Sequence, residues 1–304
     1  MELFRLNGFP TEKHYYLFNG DFVDRGSWST EIALLLYAYK WLRPASFFIN
    51  RGNHETDDMN RVYGFEGECK AKYNGMFKSQ VPSIILPSHE GRDFTKQHTD
   101  RTFKLFSESF SALPLATLVG KKYLVLHGGL FSDDKITLDD IRKLNRHNQR
   151  QPGQAGLMME MLWTDPQTEP GRGPSKRGVG MQFGPDVTKR FCENNGLDAI
   201  IRSHEVRMEG YEEEHDGKCI TGTVASEILH RTWLIIFQFF LPLSTVTARK
   251  TKVLTLTSVL TTSWNSTNLT LCRTRILSQW FVSPQNTINV ELPLTLKRRT
   301  RKAA

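Results

Sequence analysis

His14-Tyr15-Tyr16-Leu17-Phe18-Asn19-Gly20-Asp21-Phe22-Val23-Asp24-Arg25-Gly26 reads as a strand that runs out into a polar loop held between two glycines. The aromatic and aliphatic side chains of His14–Asn19 suit a pleated, buried surface, and Gly20 ends the run. Beyond the loop, Ser29 to Arg43 reads as a helix. Ser29 and Thr30 start it, Glu31 lies in its first turn, apolar residues fill most faces, and Pro44 stops it. Ala45–Asn50 is then a second buried strand, followed by Gly52-Asn53-His54-Glu55. Strand, helix and strand in this order predict parallel strands joined by a right-handed crossover. Both strands end in polar loops, and open α/β sheets place their chemistry beyond such carboxyl ends.

The same pattern returns twice. Lys122–Leu126 is a strand that ends at His127-Gly128-Gly129, and Asp198–Arg202 is one that ends at Ser203-His204-Glu205. Between them, Thr137 caps a helix whose first turn carries Asp139 and Asp140, favourable beside the positive helix end. Pro185 opens another helix and Gly196 follows its end. Phe103–Phe110 has a helical period. Residues 75–99, with Pro82, Pro87 and Gly91 and no sustained period, read as a surface insertion.

Composition narrows the class. A chain of 304 residues with 39% hydrophobic and 24% charged residues has room for one large soluble domain or two small ones. No cationic start leads into an apolar run, so nothing signals secretion. The longest apolar run, Trp233–Leu243, is interrupted by Gln238 and Pro242 and falls short of the roughly 20 residues a bilayer span needs. It reads as a core strand or as a stretch that does not fold properly. Cys69, Cys192, Cys219 and Cys272 form no C-x-x-C pair and read as reduced thiols of a cytoplasmic or nuclear protein. The net charge of +8 is not spread evenly: 11 of the 40 Lys/Arg but only 2 of the 32 Asp/Glu lie after residue 222. The basicity therefore belongs to residues 223–304, which end in Lys297-Arg298-Arg299-Thr300-Arg301-Lys302 and read as a poorly ordered tail. Residues 1–222 are close to neutral, which argues against a nucleic-acid partner.

Each polar cluster has an ordinary reading when taken alone. Gly-Asp and Gly-Asn pairs are mostly turns, and a histidine after a strand is commonly a hydrogen-bonded structural residue. Four such clusters, each after a strand, are another matter, because neighbouring strand ends converge. Asp, Asn and His without thiolate suit manganese, iron or zinc in a hydrolytic site. Asp21 can bridge two ions through its two oxygens, and Asn53, His127 and His204 complete one of them.

Gly20–Gly26, Gly52–Glu55 and His127–Gly129 resemble the signature blocks of the phosphoprotein phosphatase family, which has the calcineurin-like metallophosphoesterase fold. The resemblance extends through Tyr63-Gly64-Phe65-Glu66-Gly67-Glu68, Leu162-Trp163-Thr164-Asp165-Pro166 and Ser175-Lys176-Arg177-Gly178-Val179. Phe18–Asp21 and Phe183–Lys189 resemble the type 5 branch most. The family implies an α/β sandwich of two mixed sheets flanked by helices. It implies a serine/threonine protein phosphatase in which a metal-bound hydroxide attacks phosphorus directly. Asp21, Asn53, His127 and His204 would hold two divalent ions, expected to be manganese with iron or zinc as alternatives. His54 would be the general acid, Asp24 would orient it, and Arg25 and Arg177 would hold the phosphate.

The chain also departs from the family. The earlier Gly-Asp-x-His-Gly block, with two ligands of the first metal, has no counterpart, and residues after 222 diverge. A partial catalytic domain at 1–222, incomplete at both ends, is therefore expected. It would be interrupted at 75–99, where joining Asn74 to Asp100 restores the family spacing. The partners implied are phosphoserine and phosphothreonine proteins, with no helical-repeat domain for chaperone binding and no membrane. The competing expectation is a catalytically impaired product that only binds substrate or partner.

Overall fold

The computed structural model describes residues 2–12, 14–80, 90–207, 210–222, 233–236 and 288–292. It opens with α1 (Glu2–Asn7), β1 (Tyr15–Asn19), α2 (Ser29–Leu42) and β2 (Phe47–Asn50). β1 and β2 pair in parallel, from Tyr16 opposite Phe47 to Asn19 opposite Asn50, as the sequence pattern requires. Because successive strand residues face opposite ways, Tyr16, Phe18, Phe47 and Ile49 pack on the helical side. Leu17 and Phe48 face the second sheet.

α3 (Asp57–Tyr63), α4 (Phe65–Gln80) and α5 (Glu90–Ala112) follow, with α4 packed on α5. Of the stretch 75–99 expected as an insertion, α4 covers residues up to Gln80 and α5 those from Glu90, while residues 81–89 lie outside the described residues. A helix already formed extends at little cost, so these stretches need no amphipathic period of their own.

The second half holds β3 (Ala116–Val119), β4 (Tyr123–Leu126), α6 (Leu138–Lys143), α7 (Leu157–Trp163), β5 (Asp165–Pro166), β6 (Arg172–Pro174), β7 (Met181–Phe183) and α8 (Pro185–Asn195). It continues with β8 (Ala199–Arg202), β9 (Tyr211–Glu214) and β10 (Cys219–Gly222). Thr137 and Asp140 exchange hydrogen bonds in a capping box at the start of α6. Gly196 closes α8 at φ 65°, in the left-handed region that glycine adopts freely.

Two segments of the basic tail are described, and both are strands: β11 (Trp233–Ile236) and β12 (Ile288–Leu292). β11 lies parallel beside β1, so the apolar run begins as a sheet strand, and β12 lies parallel beside β3. The sheets are then β11-β1-β2, all parallel; the mixed sheet β12-β3-β4-β8-β10-β9; and a small one, β5-β7-β6. The Lys297–Lys302 cluster lies outside the described residues.

Leu17, Phe48, Val119, Val125, Ala199, Ile201 and Ile220 form the layer between the two larger sheets. Two buried asparagines pin that layer at the strand ends. Asn19 Nδ2 donates to Leu126 O at 2.7 Å, and Asn50 Nδ2 donates to Val125 O at 3.1 Å and to Asn19 Oδ1 at 2.9 Å. Asn19 Nδ2 also donates to Ser203 Oγ at 2.8 Å, just beyond β8, so the carboxyl ends of β1, β2, β4 and β8 are drawn together. No described helix is long and apolar enough to cross a membrane.

Candidate active site

The loops after β1 and β2 meet back to back. A Cβ on Gly52 would stand 2.6 Å from the Asp21 backbone nitrogen, and one on Gly20 would stand 2.9 Å from His127 Nδ1. Only glycines allow this approach. Asp21, Asp24, Arg25 and His204 all adopt left-handed backbone angles, with φ between 56° and 72°. Such angles are uncommon for side-chain-bearing residues and gather at functional sites.

Four ligating atoms crowd one point. Asn53 Oδ1 lies 3.0 Å from His127 Nε2. His127 Nε2 lies 3.2 Å from His204 Nδ1 and 3.3 Å from Asp21 Oδ2. His127 Nδ1 donates to Asn19 O at 2.8 Å, which leaves Nε2 a bare lone pair. A carboxylate, an amide oxygen and an imine nitrogen repel one another at such range unless a cation lies among them. Donors about 2.1 Å from one ion stand roughly 3 Å apart, the spacing found. Turning the Asn53 amide over would also satisfy these neighbours, with its NH2 donating to them. The oxygen-inward orientation is the one a cation demands.

The electrostatics agree. Burial, then the neighbouring imidazole of His127, hold the His204 pKa well below its usual value, which keeps it neutral as a ligand must be. Among the described residues, Asp21, His127 and His204 are the one such cluster of acidic, histidine and cysteine donors. They fit one ion together with Asn53. A second ion would have Asp21 alone from the described residues.

His54 stands beside the cage. Its Nδ1 is 2.8 Å from Asp24 Oδ2, and its backbone N–H donates to Asp21 Oδ1 at 3.0 Å. Asp24 Oδ1 accepts from Phe65 N at 3.0 Å. Burial alone would lower the His54 pKa; the charge of Asp21 and the bond to Asp24 outweigh it, and the pKa is raised. Arg25 lies with its guanidinium carbon 5.0 Å from the centre of the Tyr63 ring, and Tyr63 also meets His54 edge-on. Arg177 Nε donates to Asp165 Oδ2 at 2.6 Å and its Nη2 to His204 O at 3.0 Å. A cavity of about 620 Å³ joins Asp21, Asp24, Arg25, Asn53, His54, Arg177 and His204. His127 lies beneath it in the cage, so all eight residues singled out in the sequence meet in one place.

Three further residues organise the site. Glu55 is buried and accepts backbone N–H groups from Asp21, Phe22 and Gly52 at 2.7–2.8 Å. Arg202 is fully buried and binds Asp165 Oδ1 at 2.7 Å, so Asp165 holds two arginines. Glu55 and Arg202 flank the histidines in sequence, and Asp165 lies in the Leu162–Pro166 phrase, but residue type alone gave none of them a role. Among the described residues the thiols play no part: burial pushes Cys69 and Cys219 up to about 12 and Cys192 up to about 11.

Oxygen and imidazole donors caged at the carboxyl ends of layered α/β sheets, with an imidazole–carboxylate pair beside them, are the machinery of a metal-dependent hydrolase. Within that class the chain belongs to the calcineurin-like phosphoesterase family, whose profile matches residues 1–208. It is 77% identical over 221 residues to the serine/threonine-protein phosphatase T of Aspergillus oryzae, covering 73% of this chain and 41% of that protein. It is 52% identical over 221 residues to the human serine/threonine-protein phosphatase 5, covering 73% of this chain and 39% of that one. A solved protein serine/threonine phosphatase from Saccharomyces cerevisiae, described as similar to human phosphatase PP5, superimposes with a TM-score of 0.62. It is 50% identical, over 73% of this chain and 61% of its own. The chain thus spans about two fifths of the length of these curated relatives.

Proposed function

We propose that this chain hydrolyses phosphoserine and phosphothreonine monoesters of proteins with the help of divalent metal. The observation that carries the reading is the shared cavity: a cation cage, a carboxylate-braced histidine and two arginines face one another across it. Asp21, Asn53, His127 and His204 would hold the metal, and mixed oxygen and imidazole donors suit manganese. When bound, divalent metal draws charge from the phosphoryl oxygens and makes a water nucleophilic near neutral pH.

The chain's own residues account for the rest. His54 bonds Asp24 through Nδ1, so Nε2 is the nitrogen left to protonate a departing serine or threonine oxygen. Asp24 fixes that tautomer and favours the charged imidazolium. Arg177 spends Nε and Nη2 on Asp165 and His204 O, which sets its plane and leaves Nη1 for a phosphate oxygen. Arg25 leans on Tyr63 in the lining of the same cavity and supplies a second positive charge. Both arginines stabilise charge that grows in the transition state.

The test is an assay of the purified chain with manganese on a phosphoserine peptide, beside His54→Asn. We expect turnover by the wild type and a loss of about 100-fold or more in the variant. Equal rates would remove the assignment. Because the second ion position has Asp21 alone among the described residues, a second reading is a fragment that binds phosphoproteins without turning them over. Elemental analysis separates the two, since close to two ions per chain excludes the binding-only reading.

A further inference from the structure

Asn60, on α3, is fully buried. Its amide nitrogen donates to His54 O at 2.7 Å and lies 3.1 Å from Asp24 Oδ2. Both neighbours are acceptors, so the amide has one orientation, with NH2 towards them. No donor among the described residues reaches its own Oδ1, which is buried. An unmatched buried amide oxygen is a standing cost to the fold. An apolar side chain would avoid that cost, and the site would then lose the NH2.

The NH2 group meets the two atoms that decide how His54 stands. Asp24 Oδ2 is the oxygen that also bonds His54 Nδ1, and His54 O belongs to the backbone from which the imidazole hangs. One amide thus ties the base of the ring to the carboxylate that sets its rotation. Among the described residues Asp24 has no lysine or arginine partner; its charge is met by Phe65 N–H, the Asn60 amide and the imidazole.

We propose that Asn60 is a positioning residue for the general acid, acting through Asp24 and the His54 backbone without touching substrate. The inference rests on the hydrolytic reading above, and the measurements below separate the two.

Two variants, Asn60→Leu and Asn60→Ala, are compared with the wild type in the presence of manganese, after circular dichroism has established folding. A phosphoserine peptide needs its leaving oxygen protonated, whereas p-nitrophenyl phosphate releases an already stabilised anion. The expected result is a fall of roughly 10- to 100-fold in kcat on the peptide, with p-nitrophenyl phosphate turnover changed by less than about 3-fold. Equal losses on both substrates, or failure of both variants to fold, overturn the proposal and leave Asn60 a structural residue. The second readout is the tautomer of His54 from imidazole nitrogen NMR. We expect one Nδ1–H form in the wild type and a mixture in the variants; an unchanged spectrum overturns the proposal. If the wild type hydrolyses neither substrate, the hydrolytic reading falls, and the tautomer measurement still decides the role of Asn60.

Discussion

The carboxylate of Glu55 accepts the backbone N–H of Asp21 at 2.8 Å and, through the same oxygen, that of Gly52 at 2.7 Å. One buried side chain therefore fastens the loop after β1 to the loop after β2, and with them two members of the cation cage, Asp21 and Asn53. Replacing it by alanine leaves three amides without an acceptor, each worth about 1–3 kcal/mol when buried. Glu55→Ala should bind manganese more weakly and lose most of the thermal stabilisation that manganese gives the wild type. Glu55→Gln, which retains one acceptor oxygen, should fall between. Calorimetric titration with manganese alone measures this directly, and wild-type affinity in the alanine variant would show that the clamp does not shape the cage.

Asp24 raises the His54 pKa, so its removal should act on the pH profile as well as on the rate. A general acid works in its protonated form, and activity falls as pH rises through its pKa. Asp24→Asn removes one of the influences that raise that pKa. The alkaline limb of the kcat profile should therefore move to lower pH, on top of a rate loss of roughly 10- to 100-fold. Profiles of the two proteins that share the same alkaline limb would detach Asp24 from His54.

Arg177 is held by Asp165, which is itself anchored by the fully buried Arg202. A charge-assisted bond to phosphate is worth about 1.5–3 kcal/mol. Arg177→Ala should raise KM or lower kcat/KM for a phosphopeptide by roughly 10- to 100-fold, and Arg177→Lys should recover only part of it, because a lysine cannot bond Asp165 and phosphate from one plane. Asp165→Asn should resemble Arg177→Ala in kinetics but unfold at a lower temperature, since it also removes one of the two carboxylates that pair with buried Arg202, leaving Glu205. Steady-state kinetics and thermal unfolding of the three variants check the pattern.

The strands that carry the site were legible because their signal is local: an apolar run, a glycine and a polar loop lie together in the chain, as in Tyr15–Gly26. The helix bounds at Thr137, Pro185 and Gly196 were legible for the same reason. Glu55 was not, because the amides it binds belong to loops about 30 residues apart that meet only once β1 and β2 pair. Asp165 joins Arg177 and Arg202 across 12 and 37 residues, which no motif spacing reveals. The reach of α4 to Gln80 and of α5 back to Glu90 left no mark in the sequence, because a helix already formed propagates without needing an apolar period of its own. β11 and β12 find their partners, β1 and β3, more than 150 residues earlier in the chain.

Lys40, near the end of α2, offers a pH test away from the cage. Its ammonium donates to Pro44 O at 2.8 Å and lies 4.6 Å from the Phe48 ring centre, and burial pushes it down to about 8 from its usual 10.5. Below about pH 8 the lysine is charged in both the folded and the unfolded chain, and the fold carries the full cost of half-burying the charge. As pH rises from 8 to 10.5 the folded chain gives up its proton first, and the cost shrinks. Lys40→Met should be the more stable protein at pH 7, by about 1–2 kcal/mol once solvent contact is allowed for. The gap should narrow as pH approaches 10. Urea unfolding at the two pH values checks it, and a gap that widens with pH would reverse the sign assigned to this lysine.

Gly52 sets the separation of the two metal-bearing loops. A methyl there would press on the Asp21 carboxylate, 2.6 Å from its backbone nitrogen and 2.8 Å from Glu55 Oε2. Neither neighbour is free to yield, since the amide is held by Glu55 and Glu55 is held by two further amides. Gly52→Ala must then move Asp21 away from Asn53, His127 and His204, whose ligating atoms are already at the spacing one ion requires. Displacement by even a few tenths of an ångström is felt at a cage with bond lengths fixed near 2.1 Å. The variant should keep the packed layers of Leu17, Phe48, Val125 and Ile201, which lie below the loops, and lose manganese binding. Near-unchanged unfolding without metal, together with loss of the manganese-induced shift, is the expected signature. A variant that binds manganese as the wild type does would mean that the loops part without cost, and that the close approach of Gly20 and Gly52 is incidental to the cage.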